Sequence, residues 1–100
     1  MKLGIEFLFE ARAEFDDAAD WYEEQEEGLK IVFIGAIDAA LQRACTLPTA
    51  FPLVESPSVR RVLVSKFPYS IIYSVESDAI IVYAVFHQSR DPLIWRGRIG

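Results

Sequence analysis

Residues 59–87 read VRRVLVSKFPYSIIYSVESDAIIVYAVFH, and this stretch decides the fold. β-branched and aromatic residues recur along it, which is typical of strands. Turn residues interrupt it at Phe67-Pro68 and at Ser77-Asp78. Strands joined by such short connections pair as an antiparallel meander, and the last one, apolar on both faces, is typical of a central strand. The predicted strands are Val59–Lys66, Tyr69–Glu76 and Ala79–His87.

The sequence before this stretch predicts one more strand and two helices. Leu3–Phe9 has aromatic and β-branched residues at alternating positions, as a short strand does. Ala11 to about Gln25 and Leu29 to about Leu47 have apolar residues three and four positions apart, which is typical of amphipathic helices. Gly28 ends the first helix and Pro48 the second, so the two helices are expected to form a hairpin.

The sequence therefore predicts an α+β fold with the order β-α-α-β-β-β. The helical hairpin packs on a small, mainly antiparallel sheet. Residues 46–57 contain three prolines and are predicted to form a loop. The C-terminal tail is predicted to form a short helical turn, with Asp91 as its N-cap and Pro92 as its first helical residue. The chain has 100 residues, and we expect a single domain over residues 1–100.

Composition narrows the function classes. The net charge is −5, which argues against binding nucleic acid mainly through its phosphates. One His and one Cys do not supply a usual metal site, and the five scattered glycines form no phosphate loop, so no metal and no cofactor are expected. Cys45 lies among apolar residues and is expected to be a buried thiol in a reducing cytoplasm. No apolar run is long enough to predict a membrane span.

Cationic and aromatic residues cluster in the second half of the chain. They lie at the ends of predicted strands and in the tail, so the fold can bring them near one another. Such a set can bind a phosphate, stack a base or hold an acidic protein segment. Each member also has a structural interpretation, such as closing the core or binding backbone carbonyls. The residues are Arg60, Arg61, Lys66, His87, Arg90, Trp95, Arg96 and Arg98.

The order of elements and several motifs together resemble one family. The motifs are Arg61-Val62-Leu63, the run FPYSIIY at 67–73, the strand Ala79–His87, and Arg90-Asp91-Pro92 followed by Trp95. They resemble the RelE/ParE superfamily of toxins from type II toxin–antitoxin systems, and the pattern is similar to its ParE-like branch. The resemblance covers nearly the whole chain.

This resemblance implies a small cytoplasmic toxin of bacteria, held in a hetero-oligomer by a cognate antitoxin. ParE-like members poison DNA gyrase by binding it and have no established hydrolytic centre. The resemblance therefore implies a gyrase-binding toxin without catalytic residues. The expected target contacts are Arg90, Trp95, Arg96 and Arg98.

Two alternatives stay open. RelE-like members cleave messenger RNA on the ribosome, and in that case the expected residues are Arg61, Lys66, His87 and Arg90. The sequence departs from the nuclease pattern in two places: Ser70 follows Tyr69 where an Arg is usual, and Trp95 occupies the region of a reactive Tyr without offering a hydroxyl. The other alternative is a degenerate toxin that binds only its antitoxin.

The helical hairpin is the expected antitoxin surface. An apolar groove there would accept an amphipathic helix, while the sheet edge would accept an added strand. The acidic helix face would attract a basic antitoxin segment. The expected contacts, which the sequence does not distinguish from plain core residues, are Phe15, Tyr22, Leu29, Phe33 and Ile37.

Overall fold

The computed structural model describes residues 3–55 and 57–99. The described chain forms a five-stranded sheet with the strand order β1-β5-β4-β3-β2. Two long helices pack on it, and a short helix follows the last strand. The elements are β1 (Gly4–Phe7), α1 (Phe9–Gln25), α2 (Leu29–Thr46), β2 (Leu53–Glu55), β3 (Val59–Leu63), β4 (Tyr69–Glu76), β5 (Ala79–His87) and α3 (Leu93–Arg96).

The predicted α+β architecture is confirmed, and the meander is antiparallel as expected. β5 lies between β4 and β1, and β1 pairs with it in parallel. The predicted bounds of β4 and β5 are correct to the residue. A β-bulge interrupts their pairing, because Ile72 is opposite Ala84 while Tyr73 is opposite Val82. Tyr83 is therefore the extra residue of β5. Because of this extra residue, the two side chains that flank Tyr83 point to opposite faces of the sheet.

The two faces of the sheet are covered differently. α1 and α2 pack on one face, which we call the covered face. Its buried strand residues are Val62, Ile71, Tyr73, Ile80, Val82 and Val85. The other face, which we call the open face, has a smaller cluster that the tail partly covers. Its buried residues are Val59, Ile72, Ala84, Phe86 and Trp95.

The hairpin joins two helices of similar length. Gly28 is the N-cap residue of α2 and has a φ of 88°, a left-handed conformation that glycine adopts without strain. The Glu23 carboxylate accepts hydrogen bonds from the N–H groups of Gly28 and Lys30, so α1 supplies the cap that α2 lacks in its own sequence. Cys45 is buried near the end of α2, as predicted.

Three predicted local features are wrong in detail. The proline-rich segment 46–57 contains the short strand β2, which pairs with β3 across an irregular register. The first strand and β3 are shorter than predicted, and α1 begins at Phe9. Pro92, not Asp91, is the N-cap residue of α3. Asp91 still acts at that end, because its Oδ1 accepts the N–H of Leu93 at 3.0 Å.

The single-domain and loop predictions also included Met1, Lys2, Ser56 and Gly100, which lie outside the described residues.

Candidate functional site

A cavity of about 550 Å³ lies on the open face, where α3 leaves the sheet uncovered. We call it the open-face groove. Strand alternation brings side chains from four neighbouring strands, β2 to β5, to it, and the tail forms one wall. Its lining residues are Val54, Arg61, Leu63, Ser70, Ile72, Phe86, Gln88, Pro92, Trp95 and Arg96.

The groove has an apolar floor and a cationic rim. Trp95 is only 3% exposed and packs edge-on against Phe86, with ring centroids 6.5 Å apart. Arg96 lies over the Trp95 ring at 5.4 Å and forms a half-exposed ion pair with Glu55. Arg61 is exposed on the rim and forms no ion pair with any described residue. Such a groove suits an apolar segment that also carries carboxylates.

The four predicted target contacts do not lie together. Trp95 and Arg96 line the open-face groove, with only a little of the Trp95 ring accessible. Arg90 is exposed beside the helices instead. Arg98 points into the molecule and is bound there by Glu14, so it offers a partner almost no surface.

Glu14 and Arg98 form the least exposed ion pair among the described residues. Each side chain is 14% exposed, and two parallel hydrogen bonds of 2.9 Å join the carboxylate to the guanidinium. The hydrogen bonds that Arg98 donates to the Glu14 carboxylate raise the pKa of Arg98, so the guanidinium stays charged. Glu14 also accepts the N–H of Val85, and Arg98 also donates to the carbonyl of Tyr83. Glu14 was not among the predicted site residues, because an acidic helix residue gives no sign in the sequence of a partner 84 positions away.

A second cleft, which we call the helix-side cleft, lies between α1 and the ends of β4 and β5. Trp21, Tyr69, His87 and Arg90 line it. His87 packs edge-on against Tyr69 at 5.1 Å, and its Nδ1 accepts the N–H of Ser89. Burial raises the pKa of Tyr69, with a further contribution from Tyr22, while Arg90 opposes the shift. Tyr69 is therefore a neutral hydroxyl at physiological pH.

The four residues of the nuclease alternative are also divided. Arg61 lines the open-face groove, whereas His87 and Arg90 line the helix-side cleft. Lys66 is exposed in the β3–β4 turn at a φ of 71° and lines neither. Arg60, another member of the cationic set, donates to the carbonyl of Phe51. A phosphate in either cavity would meet only part of the set.

The predicted antitoxin contacts need correction. Phe33 and Ile37 are completely buried under α1, so they are core residues and offer no surface to a partner. Phe15, Tyr22 and Leu29 are partly buried and remain accessible.

The exposed apolar surface of the hairpin lies on a different part of α2, on residues that were not among the predicted contacts. Ile31 is 77% exposed, and Val32 and Ile34 are also exposed. Ile34 lines a groove of about 460 Å³ between the helices together with Arg12, Phe15, Asp16, Ala19, Asp20 and Lys30. The signal in the sequence was the apolar residues of α2 that lie off its buried stripe.

Metal binding and membrane insertion each require a recognisable arrangement of residues. Within 3–55 and 57–99, no group of three or more His, Cys, Asp or Glu side chains is arranged to hold a metal ion. Within the same ranges, no helix combines the length and the hydropathy needed to cross a membrane.

Comparison with known proteins identifies a family and solved structures with a similar fold. The family model described as the ParE toxin of type II toxin–antitoxin systems, parDE, matches residues 5–92. A solved structure of the chromosomal ParDE TA system from P. aeruginosa has a TM-score of 0.72 and 16% sequence identity, covering 86% of this chain and 96% of that chain. At that identity the likeness shows the fold. No curated protein matches the sequence.

Proposed function

The chain belongs to the ParE toxin family of type II toxin–antitoxin systems, and from that premise we propose that it arrests growth by binding DNA gyrase and that a cognate antitoxin neutralises it in the cytoplasm. The observation that supports the gyrase proposal is the open-face groove, which has an apolar floor. Two cations, Arg61 and Arg96, lie at its rim, although the protein as a whole is acidic. The mechanism is the occupation of an interface, so shape and charge decide the activity.

Three of the predicted contacts have different parts in this proposal. Trp95 and Arg96 contact the target in the groove, and Arg61 joins them from the opposite rim. Arg90 contacts the target only if the target extends to the helix-side cleft. Charged rim residues mainly set the association rate and the choice of partner, whereas the apolar floor supplies most of the contact area.

Gyrase supercoiling with charge-reversed variants tests this assignment. Arg61→Glu is the most informative change, because Arg61 makes no ion pair with a described residue that the substitution would break. Lys66→Glu is the matched control, since it makes the same charge change on an exposed residue outside the groove. We expect the wild type to inhibit supercoiling, Arg61→Glu to need about tenfold more protein, which is about 1.4 kcal/mol, and Lys66→Glu to behave as the wild type.

The same protein should be assayed for messenger RNA cleavage on programmed ribosomes. Intact supercoiling with cleaved RNA would overturn the gyrase proposal and make the exposed cations and His87 the candidates for a nuclease site. Intact supercoiling with intact RNA would favour a degenerate toxin that binds only its antitoxin.

We propose that the antitoxin places a basic amphipathic helix on the outer surface of the hairpin. Ile31 and Ile34 supply exposed apolar surface there, and Asp16 and Asp20 lie beside Ile34 in the groove between the helices. In helix-in-groove recognition, apolar side chains of the docking helix enter such a groove. Asp16 and Asp20 are already paired with Arg12 and Lys30, so the preference for a basic partner rests on the wider acidic face of α1, which includes the exposed Asp17 and Glu24.

Co-purification with the antitoxin encoded beside the toxin tests this surface. Ile34→Asp is expected to abolish the complex, because it places a charge in the apolar contact. Leu47→Asp is the matched control, since Leu47 is also exposed but lies at the far end of α2. Retention of the complex by Ile34→Asp would contradict the proposed surface.

A further inference from the structure

β5 extends beyond the strand that pairs with its outer edge. The last pair between β1 and β5 is Phe7 opposite Val82, and the N–H of Leu8 then donates to the carbonyl of Val82. β5 continues to His87. Its outer edge therefore loses its strand partner after Val82, and the backbone groups there need other partners.

Two side chains bind the outer edge of β5 at positions where a pairing strand would otherwise form hydrogen bonds. The bulge at Tyr83 changes which backbone groups face outward. The carbonyl of Tyr83 accepts from Arg98 Nη1 at 2.9 Å, and the N–H of Val85 donates to Glu14 Oε1 at 3.1 Å. Glu14 and Arg98 also bind each other through both carboxylate oxygens. Four hydrogen bonds thus connect α1, β5 and the C-terminal tail.

The tail has few other attachments among the described residues. α3 has four residues, too few for a helix to be stable by itself. Trp95 packs on Phe86, and Ile99 packs on the same cluster. The Arg96–Glu55 ion pair is half-exposed, and pairs of that kind contribute little. The tail nevertheless supplies the wall of the open-face groove.

We propose that Glu14 is a positioning residue that, through Arg98, holds the C-terminal tail in the geometry in which the open-face groove binds its target. Glu14 lies on α1 and does not line the groove. The inference rests on the gyrase proposal for its functional consequence, but the attachment of the tail can be tested without gyrase. Loss of the carboxylate releases the tail by local unfolding while the sheet and the hairpin stay folded.

The experiment combines native trypsin digestion with supercoiling assays on the full-length chain. Trypsin cleavage after Arg96 reports tail release in every variant, and mass spectrometry separates it from cleavage elsewhere. Glu14→Gln is expected to speed this cleavage at least about tenfold, as a local opening equilibrium shifts toward the open tail, and to weaken gyrase inhibition. Ile37→Val, a cavity variant in the core under the helices, is the control for general destabilisation and should leave the cleavage rate after Arg96 unchanged.

A double-mutant cycle separates positioning through Arg98 from any other role of Glu14. If Glu14 acts through Arg98, then Glu14→Gln, Arg98→Gln and the double variant release the tail to the same extent, because each breaks the same connection. Arg98→Lys keeps the charge and one donor, so it should recover part of the protection. It also serves as the second variant if Glu14→Gln does not fold.

Two results would overturn the proposal: cleavage after Arg96 at the wild-type rate in Glu14→Gln, or additive effects in the double variant. A released tail with undiminished gyrase inhibition would overturn the functional part. If the wild type leaves supercoiling intact, the gyrase proposal fails by itself, and the trypsin pattern alone decides whether Glu14 holds the tail.

Discussion

The covered face and the open face belong to the same strands but have different surroundings. Helices of 17 and 18 residues lie on the covered face, and its central side chains are fully buried. On the open face, the part of the tail that the structure describes contributes the four-residue helix α3 and the adjacent Ile99. Both faces are apolar, because the central strands are apolar at consecutive positions. Among the described residues, the two faces differ in how they are covered more than in composition, and the groove lies on the less covered face.

Because of this difference, we expect the two faces of the sheet to have different roles. A fully packed face supplies stability, since burial of apolar surface is the main favourable contribution to folding. A partly covered apolar face with a cationic rim is a surface that another protein can complete. Mutations on the covered face should therefore change stability most, and mutations on the open face should change binding most. The following predictions test that division.

The largest expected effect is that of Phe33→Ala on the covered face. Phe33 is fully buried and packs against the rings of Phe15, Tyr22, Phe67 and Tyr69. Truncating a buried Phe costs about 3–5 kcal/mol, a large part of the roughly 5–15 kcal/mol that stabilises a small domain. Urea unfolding followed by circular dichroism measures the loss. A loss below about 1 kcal/mol would show that this core collapses around the cavity.

Trp95→Ala on the open face should reduce global stability less than Phe33→Ala does, although Trp is the larger side chain. The tail that carries Trp95 can detach locally, so we expect the global unfolding free energy to fall by less than about half of the loss at Phe33. Gyrase inhibition should be lost, because the groove loses its wall. The two urea midpoints and the supercoiling assay give the comparison. Equal midpoint shifts would mean that the tail is part of the global folding unit.

Much of this architecture could be predicted from local sequence, and the exceptions have physical reasons. The bounds of β4 and β5 were predictable because periodic apolar residues end at clear turns. β2 was not, because three residues among prolines give no periodic signal. The parallel pairing of β1 with β5 depends on contacts between residues more than 70 positions apart, such as Gly4 with Ala79, and short-range patterns do not encode it.

The site was predictable only in part for the same reason. Trp95 and Arg96 were selected from the sequence and do line the groove. In the sequence, Arg98 looked equivalent to Arg96, which lies two positions earlier. In the structure, Arg96 lies at the rim of the groove, whereas Arg98 is held in the ion pair with Glu14. The family match ends at residue 92, so Trp95, Arg96 and Arg98 lie outside the matched residues. Residue type alone did not separate an arginine that lines the groove from one held in an ion pair with little exposure.

A pair of tyrosines compares hydrogen bonds on the two faces. On the covered face the buried Tyr73 hydroxyl donates to the carbonyl of Pro48 at 2.7 Å, and burial raises the pKa of Tyr73. On the open face the Tyr83 hydroxyl lies 3.1 Å from Ser74 Oγ and is partly exposed. Tyr73→Phe should cost about 1 kcal/mol, because it leaves a carbonyl without its partner, and Tyr83→Phe should cost less. Thermal unfolding of both variants ranks them, and the reverse order would contradict the division between the faces.

The smallest predicted effect is pH-dependent and concerns the hairpin that covers the sheet. Hydrogen bonds from the N–H groups of Gly28 and Lys30 hold the pKa of Glu23 below its ordinary value of 4.5. Because the folded pKa is the lower one, the carboxylate stabilises the fold above pH 4.5, and this contribution disappears as the pH falls through the folded pKa. Glu23→Gln lacks that titration, while the other acidic residues titrate alike in both proteins. The difference in melting temperature between wild type and Glu23→Gln should therefore shrink between about pH 6 and pH 3. A difference that stays constant over this pH range would mean that the charge of Glu23 has no part in holding the hairpin over the covered face.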